Sequence, residues 1–340
     1  MTLTLQEEKI LRSIVVASEN DPTRPEFPPD KPKFPATPTY KIKVPEFSNV
    51  WLKDESVNPT GTHKDRMAWE MVVTYKNLLE SKKRGRIDKL PQLSIISSGS
   101  AANAIQHLLK KYGLPNLKVV VDYRMKPEIK RKLEAIGCEI YETDLSSKVL
   151  LKEDILRLTN NKEGIDVTSD DSLGPYDIFY DWMSYEVLNS SPDYVFVPYG
   201  TGHLYENIIN VAVREVRARY HDPRFTGDVE KIRQCNFIGA TTNNPDSKAD
   251  KLYSPHLPFV HFGTRWISLA IENGYIGRHS NVYVVQERFL DMAIEIAAKN
   301  KVTCEPSGIA GLALLFQMKE LLPPDAKILI VNTGKTKYPA

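Results

Sequence analysis

From Tyr40 onward, short apolar runs alternate with segments of helical period, and this alternation constrains the fold more than any single residue does. The strand-like runs are Val50–Leu52, Leu93–Ile96, Lys118–Val121, Glu139–Tyr141, Tyr194–Val197, Asn236–Ala240, Val282–Val285 and Lys327–Val331. Between them, apolar residues recur at helical spacing over Asp65–Leu79, Ala101–Tyr112, Pro127–Ile136, Asp181–Leu188, Leu204–Tyr220, Glu287–Asn300 and Ile309–Leu321. Gly113 and Gly137 stand where helices stop, and Pro127 suits a first turn. Such alternation predicts an α/β fold with mostly parallel sheets. A chain of 340 residues is long enough for two domains of ordinary size.

The ends and inserts read differently. Thr4–Ala17 predicts a short helix, followed by the proline-dense DPTRPEFPPDKPKFPATP. Proline fixes φ and removes donors, so this stretch is an extended arm or, before Phe34, equally well a disordered tail. Asn243–Trp266 is rich in Pro, Asp, Ser and His and reads as loops, the natural material of a substrate lid.

Composition excludes several functions. The 45 basic and 43 acidic residues leave a net charge of +2, which gives no support for nucleic-acid or membrane binding. No apolar stretch approaches the roughly 20 residues of a membrane helix. The N-terminus carries early acids and no small-residue cleavage site, a poor signal peptide. Cys138, Cys235 and Cys304 form no CxxC pair, so neither a disulfide framework nor a metal site is expected, and a cytoplasmic location fits best.

Five loops between these elements carry the chemistry. The first, Asn58-Pro59-Thr60-Gly61-Thr62-His63-Lys64, is a turn leading into a helix near Lys64. A lysine at a helix N-terminus opposes the macrodipole, which lowers its pKa and favours a neutral nucleophile able to form a Schiff base. The second, Ser97-Ser98-Gly99-Ser100-Ala101, lies between a strand and a helix and offers backbone N–H groups to an anion such as a substrate carboxylate. The third, Gly200-Thr201-Gly202-His203, follows an apolar strand and opens a helix, the arrangement of a phosphate cradle. It lacks the third glycine and the following acidic residue of a dinucleotide site. The fourth is Glu305-Pro306-Ser307-Gly308 with Ala310-Gly311-Leu312, and the fifth is Thr333 with Gly334 at the end of the last strand. Taken one at a time, each also reads as a plain cap or turn.

In this order the five loops resemble the fold-type II pyridoxal phosphate (PLP) enzymes, the tryptophan synthase β superfamily, over roughly Ala36–Thr333. The likeness is greatest to the threonine synthase and serine/threonine dehydratase branch. It implies two three-layer α/β domains with the cofactor in a cleft between them. Residues 36–89 and 186–340 would form the large PLP-binding domain, 90–185 the small substrate domain, and 1–35 an N-terminal arm. The resemblance makes Lys64 the catalytic Schiff-base residue and places His63, Ser100, Gly200, Thr201, Gly202, His203 and Thr333 around the cofactor. Ser97, Ser98, Gly99, Ser100 and Ala101 would hold the amino-acid substrate, and a homodimer is implied. The activity implied is a lyase or threonine-synthase-like elimination or replacement; a β-replacement synthase and a catalytically degenerate PLP-binding protein are the alternatives. Three positions depart from the family pattern. Ser100 stands where Asn is usual and His203 where Gly is usual, while His63 stands where an aromatic residue often precedes the lysine.

Overall fold

The computed structural model describes residues 3–18, 36–168, 179–254 and 267–338. The described chain divides into two compact units. One comprises Met1–Pro35, Lys64–Phe179 and Thr336–Ala340; the other comprises Ala36–His63 and Tyr180–Lys335.

The first unit is built on a four-stranded parallel sheet. Its strands are β3 (Leu93–Ile96), β4 (Lys118–Asp122), β5 (Glu139–Thr143) and β6 (Ile165–Asp166), in the order β5-β4-β3-β6. Successive strand residues face opposite sides of a sheet, and Val119, Val120 and Val121 are all fully buried, so both faces are covered. Helices α1 (Leu5–Ser18), α2 (Lys64–Lys83), α3 (Ser100–Tyr112), α4 (Pro127–Ala135) and α5 (Lys152–Leu158) belong to this unit. Ala68, Met71, Val72, Tyr75 and Leu79 form a fully buried stripe on α2, which packs against α3. Each large side chain so buried contributes about 1.5–3 kcal/mol. Gly113 ends α3 in the left-handed conformation, as the sequence predicts.

The second unit holds a six-stranded sheet. Its strands are β1 (Thr39–Lys41), β2 (Val50–Asp54), β7 (Tyr194–Pro198), β8 (Asn236–Thr241), β9 (Asn281–Val284) and β10 (Ile328–Asn332). The order is β1-β2-β10-β7-β8-β9, parallel throughout except for β1. Helices α6 (Asp181–Leu188), α7 (His203–Arg217) and α8 (Val229–Gln234) lie in this unit. Phe196, Ile238, Leu290, Leu312, Leu315 and Ile330 are among the residues of its core. The helices Glu287–Lys299 and Ala310–Gln317 supply three of those six.

The α/β class and the parallel sheets follow the sequence reading, and every expected strand is present to within a residue or two. The division into units differs from the expected one. The first unit begins its second segment at Lys64 rather than 90, because the apolar stripe of α2 packs on α3, and it ends that segment at Phe179 rather than 185. The short strands β1 and β6 and the short helices α5 and α8 were not expected, since two to seven residues carry too little periodicity to register. The segment expected as one helix over Ile309–Leu321 is split into a 3-10 turn, the α-helix Ala310–Gln317 and a second 3-10 turn. Leu322 precedes Pro323 and is extended there, as a residue before proline prefers. The proline-dense arm up to Pro35 and the later half of the expected lid, 255–266, lie outside the described residues.

Candidate active site

In the six-stranded unit, the ends of β2 and β10 position the first and fifth loops. Asn58 donates its amide to Glu55 Oε2 at 2.7 Å and to the Thr62 carbonyl at 3.1 Å, which folds the loop back on itself. Glu55 is fully buried and lies 3.8 Å from the ammonium of Lys53, also fully buried, which in turn pairs with Glu186. Charges removed from water must be paired, so this cluster fixes the turn at the end of β2. The loop is also bonded to the chain after β10. The N–H of His63 donates to the Thr333 carbonyl at 3.2 Å and that of Lys335 to the Gly61 carbonyl at 2.9 Å. Gly334 has φ 99°, and a Cβ there would lie 2.1 Å from the Gly61 carbonyl oxygen, so only glycine permits this approach.

The fourth loop joins the same cluster. The N–H of Thr333 donates to the Gly308 carbonyl at 3.0 Å and that of Glu305 to the Gly334 carbonyl at 3.2 Å. Lys251 bonds the Ser307 hydroxyl through its N–H at 3.2 Å and Glu305 through its ammonium at 2.6 Å. Gly200 of the third loop runs beside Lys251, whose carbonyl oxygen would lie 3.1 Å from a Cβ at Gly200. Residues 58–63 of the first loop and the third, fourth and fifth loops thus gather in the six-stranded unit through contacts among loops.

The glycine loop itself caps α7. Gly202 is its N-cap with φ 90° and, having no side chain, makes no side-chain cap bond to the helix. A helix start of this kind presents backbone N–H groups to an anion. The His203 ring turns back onto the loop, with Nδ1 at 3.1 Å from the Thr201 hydroxyl. His63 packs its ring 5.5 Å from that of the fully buried Tyr180.

Lys64 is the first residue of α2 and is half-buried. Burial pushes its amine down from 10.5 to about 8. Desolvation is therefore the cause of the shift, where the sequence pointed to the helix dipole.

In the four-stranded unit, Ser97–Ala101 runs from β3 into α3, which begins at Ser100 with Gly99 as N-cap. The Ser97 hydroxyl is used within the loop, accepting from the N–H groups of Gly99 at 3.1 Å and Ala102 at 3.2 Å. The Ser100 hydroxyl bonds that of Thr336 at 2.6 Å. Asn103, one turn onward, donates its amide to the Lys337 carbonyl at 3.0 Å. Sequence reasoning did not place the C-terminal residues Thr336 and Lys337 here; nothing in TGKTKYPA signals a contact with a loop more than 230 residues earlier.

Comparison with known proteins decides the family of the chain. The family model of pyridoxal-phosphate dependent enzymes matches residues 33–334. The chain belongs to this family. Its cofactor is pyridoxal 5′-phosphate, and the chain offers what that group needs: a desolvated amine at Lys64 and a glycine-capped helix start at Gly202. A curated cysteine synthase from Aquifex aeolicus (strain VF5) is 30% identical over 114 residues, 32% of this chain; the match spans about a third (33%) of that relative's length. Among solved structures, O-ureido-L-serine synthase superposes with a TM-score of 0.65 at 16% identity, covering 88% of this chain and 89% of its own. A fungal L-serine ammonia-lyase from Rhizomucor miehei gives 0.58 at 16% identity, covering 89% and 95%. Racemases share the fold as well. At these identities the structures establish the fold of this PLP-dependent enzyme family member. No helix among the described residues is long and apolar enough to cross a membrane.

Proposed function

We propose that the protein is a PLP-dependent lyase or threonine-synthase-like enzyme that removes or replaces a β or γ substituent of an amino acid. The observation that carries this reading is Lys64, an amine lowered to about 8 at the end of a loop bonded to Thr333 and Gly334. When bound, PLP supplies an electron sink for the substrate's α-carbon. Lys64 Nζ would hold the cofactor covalently; once the substrate's amino group had displaced it, the freed amine would take the α-proton as general base. The N–H groups of Gly200–His203 hold the phosphate. Ser98–Ala101 hold the substrate carboxylate, with Ser97 bracing their loop. Thr333 presents a neutral hydroxyl to the ring nitrogen. A hydroxyl stabilises a protonated ring less than a carboxylate does, which favours loss of a leaving group over transamination. A cytoplasmic homodimer completes the reading.

A second reading, a β-replacement synthase, draws on the cysteine synthase match. One experiment separates them: difference spectra and product analysis of the purified yellow protein against an amino-acid panel. Release of a 2-oxo acid and ammonia without an added nucleophile supports the lyase; turnover only with a nucleophile such as sulfide supports the synthase. No response to any amino acid refutes both and leaves a PLP-binding protein without turnover.

The Lys64 pKa gives a pH prediction. An amine lowered from 10.5 to about 8 has about a tenth of its population neutral at pH 7. Uptake of cofactor by the apoprotein should rise about tenfold per pH unit up to about 8, then level off. A rise continuing unchanged past pH 10 would place this amine in water. The sign for stability is also set. Between about 8 and 10.5 the unfolded chain binds more protons, so apoprotein stability rises with pH across that window; below it the desolvation cost is fully present.

Ser100 supplies another prediction. Ser100→Asn removes the bond to Thr336 and inserts a longer side chain at the start of α3. Turnover of the native substrate should fall several-fold, measured as kcat/KM, because the loop is adapted to serine. An unchanged kcat/KM would separate Ser100 from substrate and cofactor alike.

A further inference from the structure

Tyr199 stands between β7 and the glycine loop, in the six-stranded unit. It is 1% exposed, and its hydroxyl is buried with no hydrogen-bond partner among the described residues. The ring is held firmly. Its N–H donates to the Ala240 carbonyl at 2.7 Å, and the ring meets that of Tyr205 edge-on at 5.5 Å. Tyr205 is itself anchored, its hydroxyl donating to the Phe237 carbonyl at 2.7 Å.

The hydroxyl faces the loop. A Cβ at Gly202 would lie 2.9 Å from Tyr199 Oη and 3.0 Å from Glu206 Oε1, so both groups converge on the N-cap of α7. A buried donor left unmade is costly, and a phenylalanine would fill the same space without that cost. The hydroxyl therefore implies a partner that arrives with a ligand.

We infer that Tyr199 is a cofactor-positioning residue whose hydroxyl donates a hydrogen bond to a phosphate oxygen of PLP at the glycine loop. This rests on the reading of Gly200–His203 as the phosphate loop. Burial and the Glu206 carboxylate push the phenol's pKa up, which keeps it a donor throughout the working pH range. Glu206 sits in the first turn of α7, where a carboxylate suits the helix dipole but repels a phosphate. A neutral donor beside it offsets that repulsion.

The test compares Tyr199→Phe with the parent protein. Apoprotein is titrated with PLP and, separately, with pyridoxal, which lacks the phosphate, and the apoprotein Tm is measured. The variant should bind PLP about tenfold or more weakly, bind pyridoxal as before, and keep or raise the apoprotein Tm. If the parent prefers PLP and the variant keeps the same preference, the role of Tyr199 is overturned and the phosphate loop stands. If the variant lowers the apoprotein Tm and weakens both ligands equally, the hydroxyl serves the fold alone and the inference fails. If the parent itself shows no preference for PLP over pyridoxal, the phosphate-loop reading falls, and the role of Tyr199 with it.

Discussion

Replacing Lys64 with alanine should abolish turnover, by at least about 10³-fold, while PLP is still held non-covalently through its phosphate. On the proposed reading the substitution removes the amine that would carry the cofactor and accept the α-proton, so both functions would be lost together. Two measurements check it. Borohydride reduction of the parent protein should fix the cofactor to the peptide containing Lys64, and steady-state assay of Lys64→Ala on the responding amino acid should show no rate above background. Fixation at a different lysine, with Lys64→Ala fully active, would refute the mechanism as a whole. Folding is not expected to suffer, because burial already holds this amine near 8 and removing it relieves a desolvation cost.

Gly202→Val should strip the protein of cofactor, with PLP affinity lower by about 100-fold or more. Two costs add. The backbone at Gly202 has φ 90°, where a side chain costs about 1–2 kcal/mol. Its Cβ would also meet Tyr199 Oη at 2.9 Å and Glu206 Oε1 at 3.0 Å, and a β-branched side chain has little freedom to turn away. Relaxing those contacts shifts the N–H groups that cap α7. Equilibrium titration at limiting PLP reads the loss directly. A variant that loads fully under those conditions would show that the loop does not hold the phosphate. Gly202→Ala should show the same loss to a lesser degree.

The local geometry of Gly200–His203 and of Ser97–Ala101 was legible in the sequence for a physical reason. A strand running into glycines and then into an amphipathic helix produces one local geometry, and the structure has it at Gly200–His203 and again, without the glycine cradle, at Ser97–Ala101. Helix starts at Lys64, Ser100 and His203 were each expected to within a residue. The α/β class followed from the same periodicities, since apolar strands such as Val119–Val121 and Val195–Val197 read as continuous only when both faces are covered.

Long-range pairing decided the rest. The Gly334 carbonyl accepting from Glu305, and Gly61 accepting from Lys335, join segments roughly 30 and 270 residues apart. No local pattern encodes either. The environment of Ser100 is of the same kind. Its hydroxyl could be read from the sequence, but its partner Thr336 comes from the far end of the chain, and only folding brings it there. The Lys64 pKa shows the division within one residue. The sequence places a lysine at a helix start, whereas the shift to about 8 comes from desolvation, which depends on what packs around the amine. Tyr199 shows it as well: a tyrosine after a strand is unremarkable in sequence, and only the tertiary structure leaves its hydroxyl buried against Gly202. Local periodicity and turn chemistry therefore determined the elements and the order of the loops. Burial and pairing between distant segments, which depend on the packed chain, decided which loops meet and how their polar groups are tuned.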